Sequence, residues 1–379
     1  MSKLTELIQQ YCPDGVEFVR FVDYANVLYG YPFDAAQFTS DNSYIPLIRI
    51  RDVLSGKAGT YYTGEYSKDY IIKKGDILVG MDGNFNLGIW DDIDGLLCQR
   101  VCKLYTKDET RLLNGFIRHY MKPVFRKIEE STPGGSVKHL SAKAINSIQI
   151  PLPPLPVQEE IVRILDNFAE LQAELQAELQ KRLQQYNYYR DNLLSFEGRT
   201  DVEWKKLGEI TTILRGKRLV KSQLSNDKPY AVYHGGLEPL GYYESANRTA
   251  NTTMIINVGA SAGTIGYSKE DFWSSDGCYC VEHSKLFDDR YIYYALQTKE
   301  QQLKSKVRVA GIPTLDKPVV EDLLVPIPPL TEQQKIASIL DKFYTLTTDI
   351  TAGLPAEIEA RRKQYEYYRD QLLTFEKKA

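Results

Sequence analysis

Apolar side chains step by three or four through one long stretch: Ile161, Leu165, Phe168, Leu171, Leu175, Leu179, Leu183, Tyr186, Tyr189, Leu193 and Phe196. The mean step of about 3.5 is the period of a left-handed coiled coil. The spacing predicts a helix of about 40 residues, some 60 Å at a rise of ~1.5 Å each. Leu165, Phe168, Leu171, Leu175, Leu179, Leu183, Tyr186 and Leu193 are its expected core. Where the helix begins stands IPLPPLPVQEEIVRILDNF (Ile150–Phe168), and it recurs as VPIPPLTEQQKIASILDKF (Val325–Phe343). Prolines cannot donate to a sheet or sit inside a helix, so each copy predicts an extended elbow that launches a helix. In the second copy Thr331 and Gln334 read as a capping box. In the first, Pro156 replaces Thr331 and suits a helix start.

The repetition extends further. QYNYYRDNLLSFE (Gln185–Glu197) recurs as QYEYYRDQLLTFE (Gln364–Glu376). The offset grows from 175 (325 − 150) to 179 (364 − 185), so the second copy carries four extra residues. Gly353-Leu354-Pro355 interrupts the second helix, with Gly353 suited to a C-terminal cap and Pro355 to a new first turn. Weaker matches join VEFVRFVDYANVLYG, ending at Gly30, to VEWKKLGEITTILRG, ending at Gly216. ILVGMDGNFNLGIW (Ile77–Trp90) resembles IINVGASAGTIGYS (Ile255–Ser268). A period this long means duplicated domains. The expected boundaries are 1–150 and 199–325 for two globular blocks, and 151–198 and 326–379 for two helical regions.

Within the blocks, YIPLIRIRDV, DYIIKKGDILVG, GLLCQRVCKLYT, MIINVGASAG and CYCVEHSKLF are short apolar or alternating runs that predict strands. LLNGFIRHYMKPVFRKIEE and DRYIYYALQTKEQQLKSKV have helical spacing at matching points of the two halves. The fold class is therefore α+β: two β-rich domains in pseudo-repeat, each followed by a long helix. The two helices are expected to pair as an antiparallel coiled coil.

Composition narrows the function. No apolar run approaches the ~18 residues of a membrane span, and MSKLTELIQQYCPDG predicts a short amphipathic helix ended by Pro13 and Gly15 rather than a secretory signal. Five cysteines suit a reducing, cytoplasmic setting. The net charge of −3 lies entirely in residues 151–199, where 8 acidic side chains meet 5 basic ones. The blocks are neutral on balance, which leaves room for local basic faces.

No catalytic constellation emerges. GASAGT from Gly259 lacks the lysine of a nucleotide-binding loop and reads as a turn. Cys278-x-Cys280-x-x-His283 has the wrong spacing for a metal loop and no second ligand pair. Its alternating cysteines read as packing, as do Cys98 and Cys102. His119, His139 and His234 form no nucleophile–base pattern, and no metal site is expected. What remains are loops that mix basic, amide and glycine residues. Arg49 and Arg51, Asn84 and Asn86, and Ser136, Lys138 and His139 are candidates in the first half. Arg215, Lys217, Arg218 and Lys221, and Lys304, Lys306 and Arg308, are candidates in the second. Arg and Asn can read base edges, while Lys holds phosphates.

The doubled IPLPP…EQ…I…IL elbow, the QYxYYRDxLL helix end and the Tyr/Leu-rich helices resemble the specificity subunit of type I restriction-modification systems. The resemblance covers essentially the whole chain. It implies two target-recognition domains, each reading half of a split DNA site, with the paired helices setting the separation. It also implies a non-enzymatic subunit. Two modification subunits would dock on it, and restriction subunits would join the full complex. S-adenosylmethionine, ATP and Mg2+ would belong to those partners, with no cofactor in this chain. Alternatives are a type IIB-like or methylation-only system, or a coiled-coil scaffold with two binding modules and no DNA.

Overall fold

The computed structural model describes residues 3–132, 138–348 and 352–378. The chain forms two compact units: residues 1–174 with 359–379, and residues 175–358. The helix Leu155–Leu193 and the helix Gly353–Leu372 each pass from one unit into the other. Each unit is therefore completed by chain from the other half of the sequence.

The same frame underlies both units. In the first, the strand Phe18–Arg20 pairs antiparallel with the elbow strand Gln149–Pro151, Phe18 facing Pro151. In the second, Glu203–Lys206 pairs with Leu324–Ile327, and Trp204 faces Pro326. Two-stranded ladders have open edges, which is where a strand tolerates proline. A four-stranded sheet follows in each unit. Its order is Ala25–Tyr29, Val101–Thr106, Ile77–Gly80, Leu87–Ile89 in one, and Ile213–Arg215, Cys278–Val281, Thr252–Ile256, Ile265–Ser268 in the other. Gly30 and Gly216 recur because the chain leaving the first strand of this sheet grazes a neighbouring backbone. A Cβ there would stand 2.0 Å from the Cys98 carbonyl oxygen or the Ser275 carbonyl oxygen.

The units diverge outside that frame. The first adds a five-stranded sheet around Phe33, Leu47, Tyr62, Leu96 and Cys98; the second adds three strands beside Phe272, Cys278 and Cys280. The cysteines are packing residues, as expected. His283 turns instead to Thr249 Oγ1 at 2.9 Å and Asp289 at 2.8 Å. The matched hairpins also differ by register. Val79 faces Leu87 and Ile255 faces Ile265, so the second turn is two residues longer and the ungapped sequence match slips at its strand.

Each elbow is held by one buried glutamine. Gln158 Nε2 donates to the carbonyls of Pro153 and Arg111, and its Oε1 accepts the Leu113 amide at 3.0 Å. Gln333 does the same with Pro328, Leu286 and the Asp288 amide. Both side chains are almost fully buried, so losing either would strand a backbone amide at a cost of about 1–3 kcal/mol. The expected Thr331 cap is corrected here. The helix Leu330–Thr348 already includes Thr331, and the Pro329 carbonyl accepts the Glu332 and Gln333 amides. The expected C-terminal cap at Gly353 is corrected as well: Gly353 opens the helix Gly353–Leu372, and its φ of +74° and the 2.5 Å between a Cβ there and the Thr345 carbonyl oxygen are what favour glycine.

Candidate nucleic-acid interface

Two loops from distant sequence meet at the same place in each unit. In the first, Gly83 N donates to Lys138 O at 2.9 Å and Leu140 N to Met81 O at 2.7 Å. In the second, Gly259 N donates to Pro313 O at 2.9 Å and Leu315 N to Asn257 O at 2.8 Å. Candidate loops 81–86 and 138–140 are thus one surface, and so are 257–264 and 308–315. The sequence matched these loops only by their place before the elbow; the hydrogen bonding is a tertiary result.

The side chains on these loops are not equally free. Lys138 Nζ donates to Glu129 O at 2.5 Å, so it caps the helix Asn114–Ser131. His139 Nδ1 lies 2.5 Å from Asp82 Oδ1, and Asp82 also holds Arg100 at 2.8 Å. Asn84 and Asn86 line a cleft of about 440 Å³ with Lys122, Arg126 and Arg369. Ser136 lies outside the described residues. Arg49 stands 5.8 Å from the Phe38 ring, while Arg51 donates to Thr60 Oγ1 at 2.5 Å. Arg49 precedes the turn Ile50–Asp52 and Arg51 lies within it; the buried Asp52 of that turn accepts the Arg49 amide.

In the second unit Arg215, Lys217, Arg218 and Lys221 are exposed, and among the described residues they have no ion-pair partner. Lys306 is free in the same sense. Lys304 and Arg308 are engaged by Glu300 at 2.6 Å and Asp316 at 2.8 Å. The basic loop and the 308–315 loop share a neighbour. Lys217 N bonds to Ser274 O, and Asn257 N bonds to Gly277 O in the same turn. Arg248, not singled out by the sequence, braces this end by donating to Arg215 O at 3.0 Å.

The helices carry a second repeated feature. Leu165 and Tyr186 are buried, but Leu175, Leu179 and Leu183 are only half-buried, and Leu171 is 37% exposed rather than core. Leu193 is half-buried, with Leu194 and Phe196 taking the buried places. In the first unit Phe168 stacks on Tyr368 at 5.5 Å; in the second Phe343 stacks on Tyr189 at 5.4 Å. These are the same two repeat positions, used once in each unit. The ILD aspartates anchor both helices. Asp166 accepts from Arg118 and lies 2.6 Å from His119 Nε2, while Asp341 accepts from Arg290 and from Tyr294 OH at 2.6 Å.

Comparison with known proteins agrees with this doubled architecture. The family described as "Type I restriction modification DNA specificity domain" matches residues 13–185 and again 200–360. The chain is 31% identical over 347 residues to the type I restriction enzyme EcoR124I/EcoR124II specificity subunit of Escherichia coli, covering 83% of this chain and 84% of that one. It is 30% identical to a putative type I restriction enzyme specificity subunit of Haemophilus influenzae, over 83% of this chain and 88% of the relative. The crystal structure of a type I restriction-modification S subunit from M. genitalium shares the fold, with a TM-score of 0.62 at 18% identity over 94% of this chain and 95% of that one. With two specificity domains in one chain, the protein belongs to the type I restriction-modification DNA specificity subunit family.

Proposed function

We propose that each unit reads one half of a split DNA target, and that the paired long helices hold the half-sites apart and receive two modification subunits. The observation that carries this is the repeated frame with unlike loops. Elbow register, glutamine clamp and loop-to-loop hydrogen bonds recur, while the residues presented on those loops do not. Antiparallel pairing of the helices is supported by the two equivalent aromatic stacks. On this reading the chain supplies recognition alone. Methyl transfer from S-adenosylmethionine, and any ATP- and Mg2+-dependent cleavage with restriction subunits, belongs to its cytoplasmic partners. Arg215, Arg218, Lys217, Lys221, Asn84, Asn86, Arg49 and Lys306 are the proposed contacts, since Lys138 and His139 are held by protein groups.

The test is an exchange of residues 199–325 for the same region of a relative, followed by genome-wide methylation mapping. One half of the target should change and the other should persist. A change in both halves would refute one unit per half-site.

A further inference from the structure

The second unit carries a hydrogen-bonded tip with an unusual surface. Arg308 and Thr314 exchange both backbone hydrogen bonds, at 2.9 and 3.0 Å, closing a short hairpin. Its base is fixed by the Gly259–Pro313 and Leu315–Asn257 hydrogen bonds, and Leu315 is fully buried. At the apex Val309 is 79% exposed and Ile312 is 71% exposed, the two highest values for large apolar side chains among the described residues. Single exposed aliphatics are ordinary. Two on one anchored turn leave most of their apolar area in water, where a partner surface could bury it.

The surroundings suggest what covers them. Beside the apex Lys306 has no ion-pair partner among the described residues, while Lys304 and Arg308 are paired with Glu300 and Asp316. The unpaired basic loop 215–221 shares their neighbouring turn. An apolar apex beside the free Lys306 and the free cations of the 215–221 loop complements a DNA groove, with phosphates on its rims and bases on its floor.

We propose that Val309 and Ile312 enter a groove of the half-site read by the second unit and make apolar contacts with the bases, while Lys306 holds a flanking phosphate. This rests on the DNA-reading function above and assigns residues and a mode of contact to it. Thymine methyls and unstacked base steps are the base surfaces that accept aliphatic side chains.

The experiment uses the chain assembled with its modification subunits and compares its mapped target duplex with a scrambled one across a salt series. The Val309→Ser/Ile312→Ser double variant should bind the target at least about tenfold more weakly. Its binding to scrambled duplex and its slope of log K against log salt should not change. Lys306→Gln should weaken both duplexes alike and lower the slope by about one. Replacing target thymines by uracil should reproduce the loss if methyl groups are contacted; 2-aminopurine fluorescence should rise on binding if a step is unstacked. Should the double variant lose its thermal transition, the two single variants carry the same comparison. Equal binding of target by wild type and variant would overturn the proposal, and so would an equal loss on both duplexes. A wild-type complex that does not discriminate the duplexes would instead overturn the DNA-reading function.

Discussion

Glu160 shows how one side chain can tie the helix that carries Lys3 to the start of the helix Leu155–Leu193. Its carboxylate is 3% exposed and receives Arg163 at 2.6 Å and Lys3 at 2.8 Å. Hydrogen bonds from Arg163 and then Lys3 pull its carboxyl down from 4.5 to about 2. The folded value lies below the unfolded one, so the ionised form stabilises the fold. That contribution is complete above the unfolded value and is lost as pH falls through the folded one. Both cations are largely exposed, so the net effect is about 1 kcal/mol. Glu160→Gln should therefore unfold at lower urea concentration near neutral pH, and its gap to wild type should close as pH approaches about 2. A gap that persists there would assign the loss to packing. The sequence shows Gln158, Gln333, Asp166 and Asp341 as recurring polar residues in apolar frames. Their partners, such as the Asp288 amide or Tyr294 hydroxyl, come from segments too distant for periodicity to reveal.

Among the elements, the tandem AELQAELQAELQ (Ala169–Gln180) lies wholly inside the helix Leu155–Leu193. The boundary between the two units falls within it, at Glu174–Leu175. One tetrapeptide adds about 6 Å of helix and a rotation of about 400°, only ~40° past a full turn. Its removal nearly preserves the apolar seam. Deleting one unit should leave the protein folded and both half-sites unchanged. The spacer between them should shorten by about one base pair, since ~6 Å corresponds to one to two steps of ~3.4 Å and the coil absorbs part of that length. Methylation mapping of the deletion reads this directly; the same bases at the same spacing would show that the repeat is seam filler. The half-exposed middle of this seam also explains why Leu171 departed from expectation. A period of 3.5 locates a stripe, but not how deeply a partner covers it.

The whole molecule is two versions of one unit, and its partners should count accordingly. Tyr188 with Tyr189 and Tyr367 with Tyr368 form the same edge-on pair, at 5.6 Å and 71° and at 5.5 Å and 73°. Tyr188 and Tyr367 are 67% and 63% exposed, which leaves each helix end an aromatic surface. At saturation the chain should bind two modification subunits. Either Tyr188→Ala or Tyr367→Ala should shift native mass spectra toward one bound subunit, while a single modification subunit on wild type would exclude two docking surfaces.

By itself the sequence determined the duplication, the elbows, the long helices, the cysteine packing and the family, because these rest on short-range periodicity and on motifs written twice. Tertiary structure decided the composition of the units, in which the segment 359–379 completes the first. It also decided which candidate cations are free. Lys138 and Arg218 look alike in sequence, yet one ammonium caps a helix end and the other guanidinium meets no counter-charge among the described residues. Local pattern reports what a residue can do. Only the neighbours that folding brings within 3 Å consume that capacity or leave it for DNA.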